Sequence, residues 1–174
     1  NILKIIGILI LIATITIFVL QFFIRRNKGC RLCNDCKNLQ DINISVKVTT
    51  ISKYAFSGCS SLQKIEIPNS VISIGNSAFS GCTGFTGNLI IPDSITEISN
   101  NAFSGCSSLT HIDIPDSVKD IGDWIFASCS NLQSIKLSNN LTRIPYQCFS
   151  NCSSLTSLTI PSSVEKIEYQ AFKE

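Results

Sequence analysis

Two apolar patterns divide the chain. From Ile5 to Ile24 the sequence IIGILILIATITIFVLQFFI runs twenty residues without a charge. As a helix rising 1.5 Å per residue it would span ~30 Å, the thickness of a bilayer's hydrocarbon core. It is apolar around its whole circumference, unlike a soluble amphipathic helix. Phe22-Phe23-Ile24-Arg25-Arg26 follows in place of a small-residue cleavage site, so the segment predicts an uncleaved transmembrane helix and not a signal peptide. Beyond it the pattern becomes periodic. Phe recurs at 56, 79, 103, 126, 149 and 172, at intervals of 23, 24, 23, 23 and 23. Cys follows three residues after each of the first five, at 59, 82, 106, 129 and 152.

On this frame each unit reads C-S-S-L-x-x-I-x-I-P-x-S-V-x-x-I-x-x-x-A-F-x-x, and residues 59–81 are the best copy. Leu109, Ile112, Ile114, Val118, Ile121 and Phe126 repeat the apolar skeleton, as do Cys36, Leu39, Ile42, Ile44, Val48, Ile51 and Phe56 at the start. Apolar residues two apart in L-x-x-I-x-I predict a short strand with one face inward. Pro68, Pro92, Pro115 and Pro161 then end it, because proline has no N–H for a ladder. S-V-x-x-I predicts a second extended piece, and A-F-x-x-C a helical turn or tight loop with Ala, Phe and Cys inward. One coil cannot close a core alone, so the coils stack, with parallel strands ~4.8 Å apart and like residues in ladders. The unit from Cys82 to Gly105 carries one extra residue around Thr86-Gly87-Asn88, which predicts a bulge or a widened turn.

The expected organisation is a flank at 1–4, a transmembrane helix at 5–24, a basic juxtamembrane linker at 25–35 and a six-coil solenoid at 36–174, its last coil incomplete. Asn1 in place of Met, and an ending inside a repeat, predict a fragment with a truncated N-terminal flank.

Combinations such as SSLTSLTIPSSV and AFSGCSSL resemble the BspA-like leucine-rich repeats, the surface-antigen repeats of bacteria and of protists such as trichomonads. The resemblance covers residues 36–174. It implies a leucine-rich-repeat solenoid on a cell surface that adheres to host cells or matrix proteins.

Charge refines this picture. Residues 1–37 hold six basic residues against Asp35, a balance of +5, while residues 38–174 hold eight basic against eleven acidic, a balance of −3. An acidic body lacks the basic face that nucleic acid requires. Arg25, Arg26, Lys28 and Arg31 follow the apolar span and only Lys4 precedes it. Taken alone, that flank puts the repeats inside the cell; a basic stretch missing before Asn1 would reverse it. The favoured reading is a single-pass protein of the plasma membrane with its repeats on the cell surface, binding a protein without catalysis. A cytoplasmic adaptor on the inner leaflet and a structural spacer for an unseen domain are the alternatives.

The outward residues of the first strands are the candidate binding face: Asp41 and Asn43, Lys64 and Glu66, Asn88 and Ile90, His111 and Asp113, Ser134 and Lys136, Ser157 and Thr159. Packing does not constrain them, and there a solenoid carries recognition. His111 and Asp113 point the same way, but no Cys or Ser nucleophile is fixed beside them, and no catalytic residue, metal or cofactor is expected. Trp124 is either an exposed contact anchor or the cap of a turn. Cys30, Cys33 and Cys36 have the spacing of thiolate ligands, but Cys36 belongs to the repeat ladder and Cys148 stands where other coils have Ala. That leaves Cys30 and Cys33 as a plain juxtamembrane pair, a palmitoylation site on a cytosolic side, or a disulfide or metal pair. Asn43, Asn140 and Asn151 begin glycosylation sequons, which matter only if the repeats are outside the cytosol.

Overall fold

The computed structural model describes residues 36–174. The flank at 1–4, the apolar segment 5–24 and the linker with Cys30 and Cys33 lie outside the described residues. Among the described residues no helix is long and apolar enough to cross a membrane.

Ten short strands follow the repeat: β1 Asp41–Asn43, β2 Thr50–Ile51, β3 Lys64–Glu66, β4 Ser73–Ile74, β5 Gly87–Ile90, β6 Glu97–Ile98, β7 Leu109–Asp113, β8 Ser134–Lys136, β9 Arg143–Ile144 and β10 Lys166–Ile167. Each of the first, second, third and fifth coils supplies one strand to each of two ladders, and every pairing is parallel with equivalent residues opposite one another, except that the inserted Gly87 faces Leu109. In the first ladder Ile42 faces Ile65 across β1 and β3, and Leu89, Ile112 and Ile135 line up across β5, β7 and β8. In the second, Ile51, Ile74 and Ile98 align across β2, β4 and β6, an isolated bridge joins Ile98 to Ile121, and Ile144 faces Ile167 across β9 and β10. The 23-residue period thus sets the register, because a slip by one residue would turn every inward side chain outward.

Between the ladders the chain turns in the P-x-S-V segment. Pro68, Pro92, Pro115 and Pro161 each accept a bond from the amide three residues on, at 2.9–3.1 Å. The serine in that segment ties one coil to the one before: the hydroxyls of Ser70, Ser94 and Ser117 donate to the carbonyls of Val48, Val71 and Ile95 at 2.7, 2.7 and 2.5 Å. The fifth coil has Ser138 in place of proline, and that hydroxyl donates to Val118 at 2.6 Å instead.

The A-F-x-x-C segment is a run of tight turns; no residue among those described is helical. It forms a third intercoil ladder. Tyr54, Phe56 and Gly58 donate backbone bonds to Asn76, Ala78 and Ser80 at 2.7–3.0 Å, and the same triplet recurs from each coil to the next. Residues between these donors bond back within their own turn, as Ala55 does to Ser52. This alternation demands left-handed backbone twice per coil. Tyr54, Ser77, Asn101, Trp124, Gln147 and Gln170 lie at φ 49–60°, and four residues later come Gly58, Gly81, Gly105, Ser128 and Asn151 at φ 58–74°. Glycine takes this conformation without strain, which accounts for the G-C of the repeat.

The core lies between the three sides. Phe56, Phe79, Phe103, Phe126, Phe149 and Phe172 form one continuous stack, with neighbouring ring centroids 5.3–5.9 Å apart and planes within 13°. Cys82, Cys106, Cys129 and Cys152 do more than fill space. Each thiol donates to the carbonyl of the phenylalanine one coil back, respectively Phe56, Phe79, Phe103 and Phe126, at 3.0–3.2 Å.

One expected element is missing. Residues 155–160 form no strand, so Ser157 and Thr159 are exposed but outside the ladder. Leu155, Leu158 and Ile160 are only half-buried where Leu109, Ile112 and Ile114 are buried. With less apolar area removed from water, less holds this segment against β8.

Candidate binding surface

The outward positions of the first ladder come together on one face because parallel register sets equivalent residues side by side. Asp41 lies beside Lys64 and Asn43 beside Glu66. Asn88, His111 and Ser134 form one row, and Ile90, Asp113 and Lys136 the next. All are exposed. Asp41 beside Lys64 and Asp113 beside Lys136 alternate in sign, so the rows carry charge without a single-sign field. Ile90 breaks the polar rows at 78% exposure, the highest of any large apolar residue described.

The face is not continuous. β1 and β3 form one sheet, and β5, β7 and β8 another. The interruption adjoins the coil that carries the extra residue, and on the other side of that coil β5 pairs with β7 through a register shift between Gly87 and Asn88. An open cleft of about 850 Å³ lies at the interruption, bordered by β1, β3, β5, Phe85 and Thr86. The extra residue was legible in the sequence; the break in the ladder beside it was not.

His111 and Asp113 sit two residues apart on β7, and the His111 ring bonds Thr110 Oγ1 at 2.9 Å. Trp124 occupies a left-handed turn position at φ 60° and remains 38% exposed. It also begins an aromatic row that the sequence reading missed, meeting Tyr146 edge-on at 5.3 Å, with Tyr146 stacked on Tyr169 at 6.2 Å. The clue was the alignment of Tyr146 and Tyr169 at the same repeat position. Nearby, Arg143 bridges Asp120 and Asp123 at 3.1 and 3.4 Å.

The three sequon asparagines differ in their surroundings. Asn43 is exposed within β1, and Asn151 is exposed at a left-handed turn. The Asn140 amide is engaged, donating from Nδ2 to the Asp116 carbonyl at 2.6 Å. Its neighbour Asn139 donates to the Asp116 carboxylate from backbone and side chain, which holds that carboxyl below its usual range. Burial, reinforced by neighbouring cysteines, pushes the thiols of Cys106 and Cys148 well above their ordinary value.

Comparison with known proteins agrees with this geometry. A family model described as the BspA type leucine-rich repeat region matches six copies over residues 29–89 and 85–174. A leucine-rich repeat protein from Bacteroides ovatus is similar at 35% identity and a TM-score of 0.72, covering 79% of this chain and 35% of that one. The T. pallidum leucine-rich repeat protein is similar at 32% identity and 0.72, covering 76% and 61%. A leucine-rich cell surface protein from Faecalibacterium prausnitzii is similar at 26% identity and 0.52, covering 79% and 52%. The chain therefore spans about a third to three fifths of the length of these structures. No curated protein matches it.

Proposed function

The chain belongs to the BspA-type leucine-rich-repeat family, a family of protein-interaction repeats, and from that premise we propose that it is a membrane-anchored surface protein whose strand face binds another protein, on a host cell or in its matrix, without catalysis. The observation that carries this reading is the contrast within the first ladder. Inward positions repeat almost unchanged, whereas the outward rows present Asn, His and Ser side by side and Ile, Asp and Lys side by side. A surface held in fixed register by an invariant core, yet varied from coil to coil, suits one specific protein partner. The F. prausnitzii neighbour is described as a cell surface protein, and the apolar residues 5–24 suit an anchor.

A second reading has its own observation. Arg25, Arg26, Lys28 and Arg31 after the apolar segment favour an adaptor on the inner leaflet, where an excess of basic residues is retained. Protease treatment of intact cells carrying a C-terminal tag, with permeabilised cells as control, separates the two. Digestion of the tag without permeabilisation is the expected outcome. Protection until permeabilisation would overturn the surface reading in favour of the adaptor, and would direct attention to palmitoylation of Cys30 and Cys33.

A further inference from the structure

Where the second ladder passes into the turns of the fourth to sixth coils, the exposed side chains change character. Asp123, Tyr146 and Tyr169 share one repeat position, and Trp124, Gln147 and Gln170 share the next. The row from Trp124 through Tyr146 to Tyr169 has centroid spacings of 5.3 and 6.2 Å, and both of its ends are exposed. A chain of amides runs beside it. Gln147 Nε2 donates to Gln170 Oε1 at 2.6 Å, and Gln170 Nε2 donates to the Tyr169 hydroxyl at 3.2 Å. Gln147 is buried, yet its Oε1 has no hydrogen-bond partner. Buried acceptors are nearly always satisfied, so this one has capacity for a donor, which the half-exposed Gln170 admits by swinging aside.

The chemistry of these groups narrows the ligand. Tyrosine and tryptophan present a rigid apolar body with a polar tip. Amides and phenols both donate and accept hydrogen bonds, as the hydroxyls of a sugar do, and a pyranose ring adds an apolar C–H face for an aromatic side chain to cover. Charge argues in the same direction. Arg143 holds Asp120 and Asp123 at 3.1 and 3.4 Å, and Lys166 holds Glu168 at 2.8 Å. The charges bordering the row are thus already paired, and a phosphate-bearing or strongly charged ligand gains little by approaching it. The strand face is built differently, with charges of both signs in its rows, as Asp41 beside Lys64 and Asp113 beside Lys136.

We propose that this edge is a second binding site, separate from the strand face, and that its ligand is a neutral glycan. Sugar rings lie along the exposed surface of Trp124, Tyr146 and Tyr169. Their hydroxyls bond the Gln170 amide and the tyrosine hydroxyls, and one of them donates to Gln147 Oε1.

The probe is a panel of neutral, sialylated and sulfated oligosaccharides, titrated into the full chain in micelles of a detergent without a sugar headgroup. Trp124 is the only tryptophan, so its emission reports contact at this edge. Neutral oligosaccharides are expected to shift that emission saturably. Tyr146→Ala and Tyr169→Ala should each weaken binding tenfold or more, and Gln170→Ala several-fold. Tyr169 is 72% exposed, so Tyr169→Ala should keep the melting temperature of the parent chain and its loss of binding reads the site alone. Replacing Asp113 and Lys136 together by Ala, on the strand face, should change binding less than twofold. An emission that no oligosaccharide moves would overturn the inference, as would equal losses for the row and strand-face variants. Tighter binding of sulfated than of neutral members would overturn it in favour of an anion site. Binding of the chain to epithelial cells that survives enzymatic removal of their glycans, yet is lost in Tyr169→Ala, would make the edge a protein contact instead. The titrations use purified chain, so the strand-face and cell-surface readings stand or fall separately, the latter by the protease experiment.

Discussion

A cysteine in this repeat is a hydrogen-bond donor as well as a small apolar residue. The Phe79 carbonyl accepts from the Cys82 amide at 3.1 Å and from the Cys106 thiol at 3.2 Å, and alanine would supply only the first of these. Burial favours the protonated thiol because a thiolate would lose its hydration. For Cys152 the pKa is pushed up to about 11 from an ordinary 9.0, by burial against the lowering effect of a backbone bond from the Cys129 region. The folded chain then holds this proton to higher pH than the unfolded chain does. The stabilisation is full below about pH 9 and is lost as pH rises toward 11. We predict that the difference in melting temperature between the parent chain and Cys152→Ala narrows steadily between pH 8.5 and 10.5. A difference that does not change with pH would show that Cys152 titrates alike in both states.

At the scale of the element, the phenylalanine stack carries the largest testable difference. Phe103 is fully buried between Phe79 at 5.5 Å and Phe126 at 5.9 Å. Truncation to alanine removes both ring contacts and leaves a cavity, so Phe103→Ala should cost ~3–5 kcal/mol. Phe172 has one ring neighbour, Phe149 at 5.4 Å, and is 46% exposed. Phe172→Ala should cost about half as much or less. Lys64→Ala, on the exposed face of β3, should shift stability by less than ~0.5 kcal/mol. Urea denaturation of the three variants checks the order, and a loss for Lys64→Ala equal to that for Phe103→Ala would show the inward and outward registers to be reversed. Periodicity made the inward set readable, because period two within strands and 23 along the chain are both imposed by burial. It could not reveal the third ladder, because alternate amides bonding forward to the next coil and back into their own turn leave only the G-C dipeptide and variable polar residues as a trace. The aromatic row left a fainter trace, the shared repeat position of Tyr146 and Tyr169, because Trp124 lies one repeat position further on, where the first coil carries Tyr54.

For the described repeats as a whole, stability should vary along the stack, because each coil touches only its neighbours. In the third and fourth coils the turn seam is bonded on both sides, while the first ladder lapses at the cleft and the second between Ile121 and β9, and Leu109, Ile112, Ile114, Val118 and Ile121 are buried. The sixth coil contributes β10 but no strand beside β8, and Ile167 is 53% exposed. Its serine seam also lapses. Ser163 stands where Ser94 and Ser117 reach back one coil, yet its buried hydroxyl has no hydrogen-bond partner. The fifth coil, with Ser138-Asn139-Asn140 in place of Pro-x-Ser, turns its own bonds toward Asp116 and Val118. Local opening requires least where buried apolar area and intercoil bonds are fewest. Amide exchange followed by mass spectrometry should therefore be fastest in residues 155–174, intermediate in the cleft-facing β3 and β5, and slowest in β7 and in the turns around Phe103 and Phe126. Restoring the period by deleting Gly87 should move β3 and β5 into the slow class without altering residues 155–174, since a nearest-neighbour stack does not transmit a repair across three coils. Uniform exchange along the array would instead mean that the coils open together as one unit, and that neither the cleft nor the sixth coil is a point of weakness.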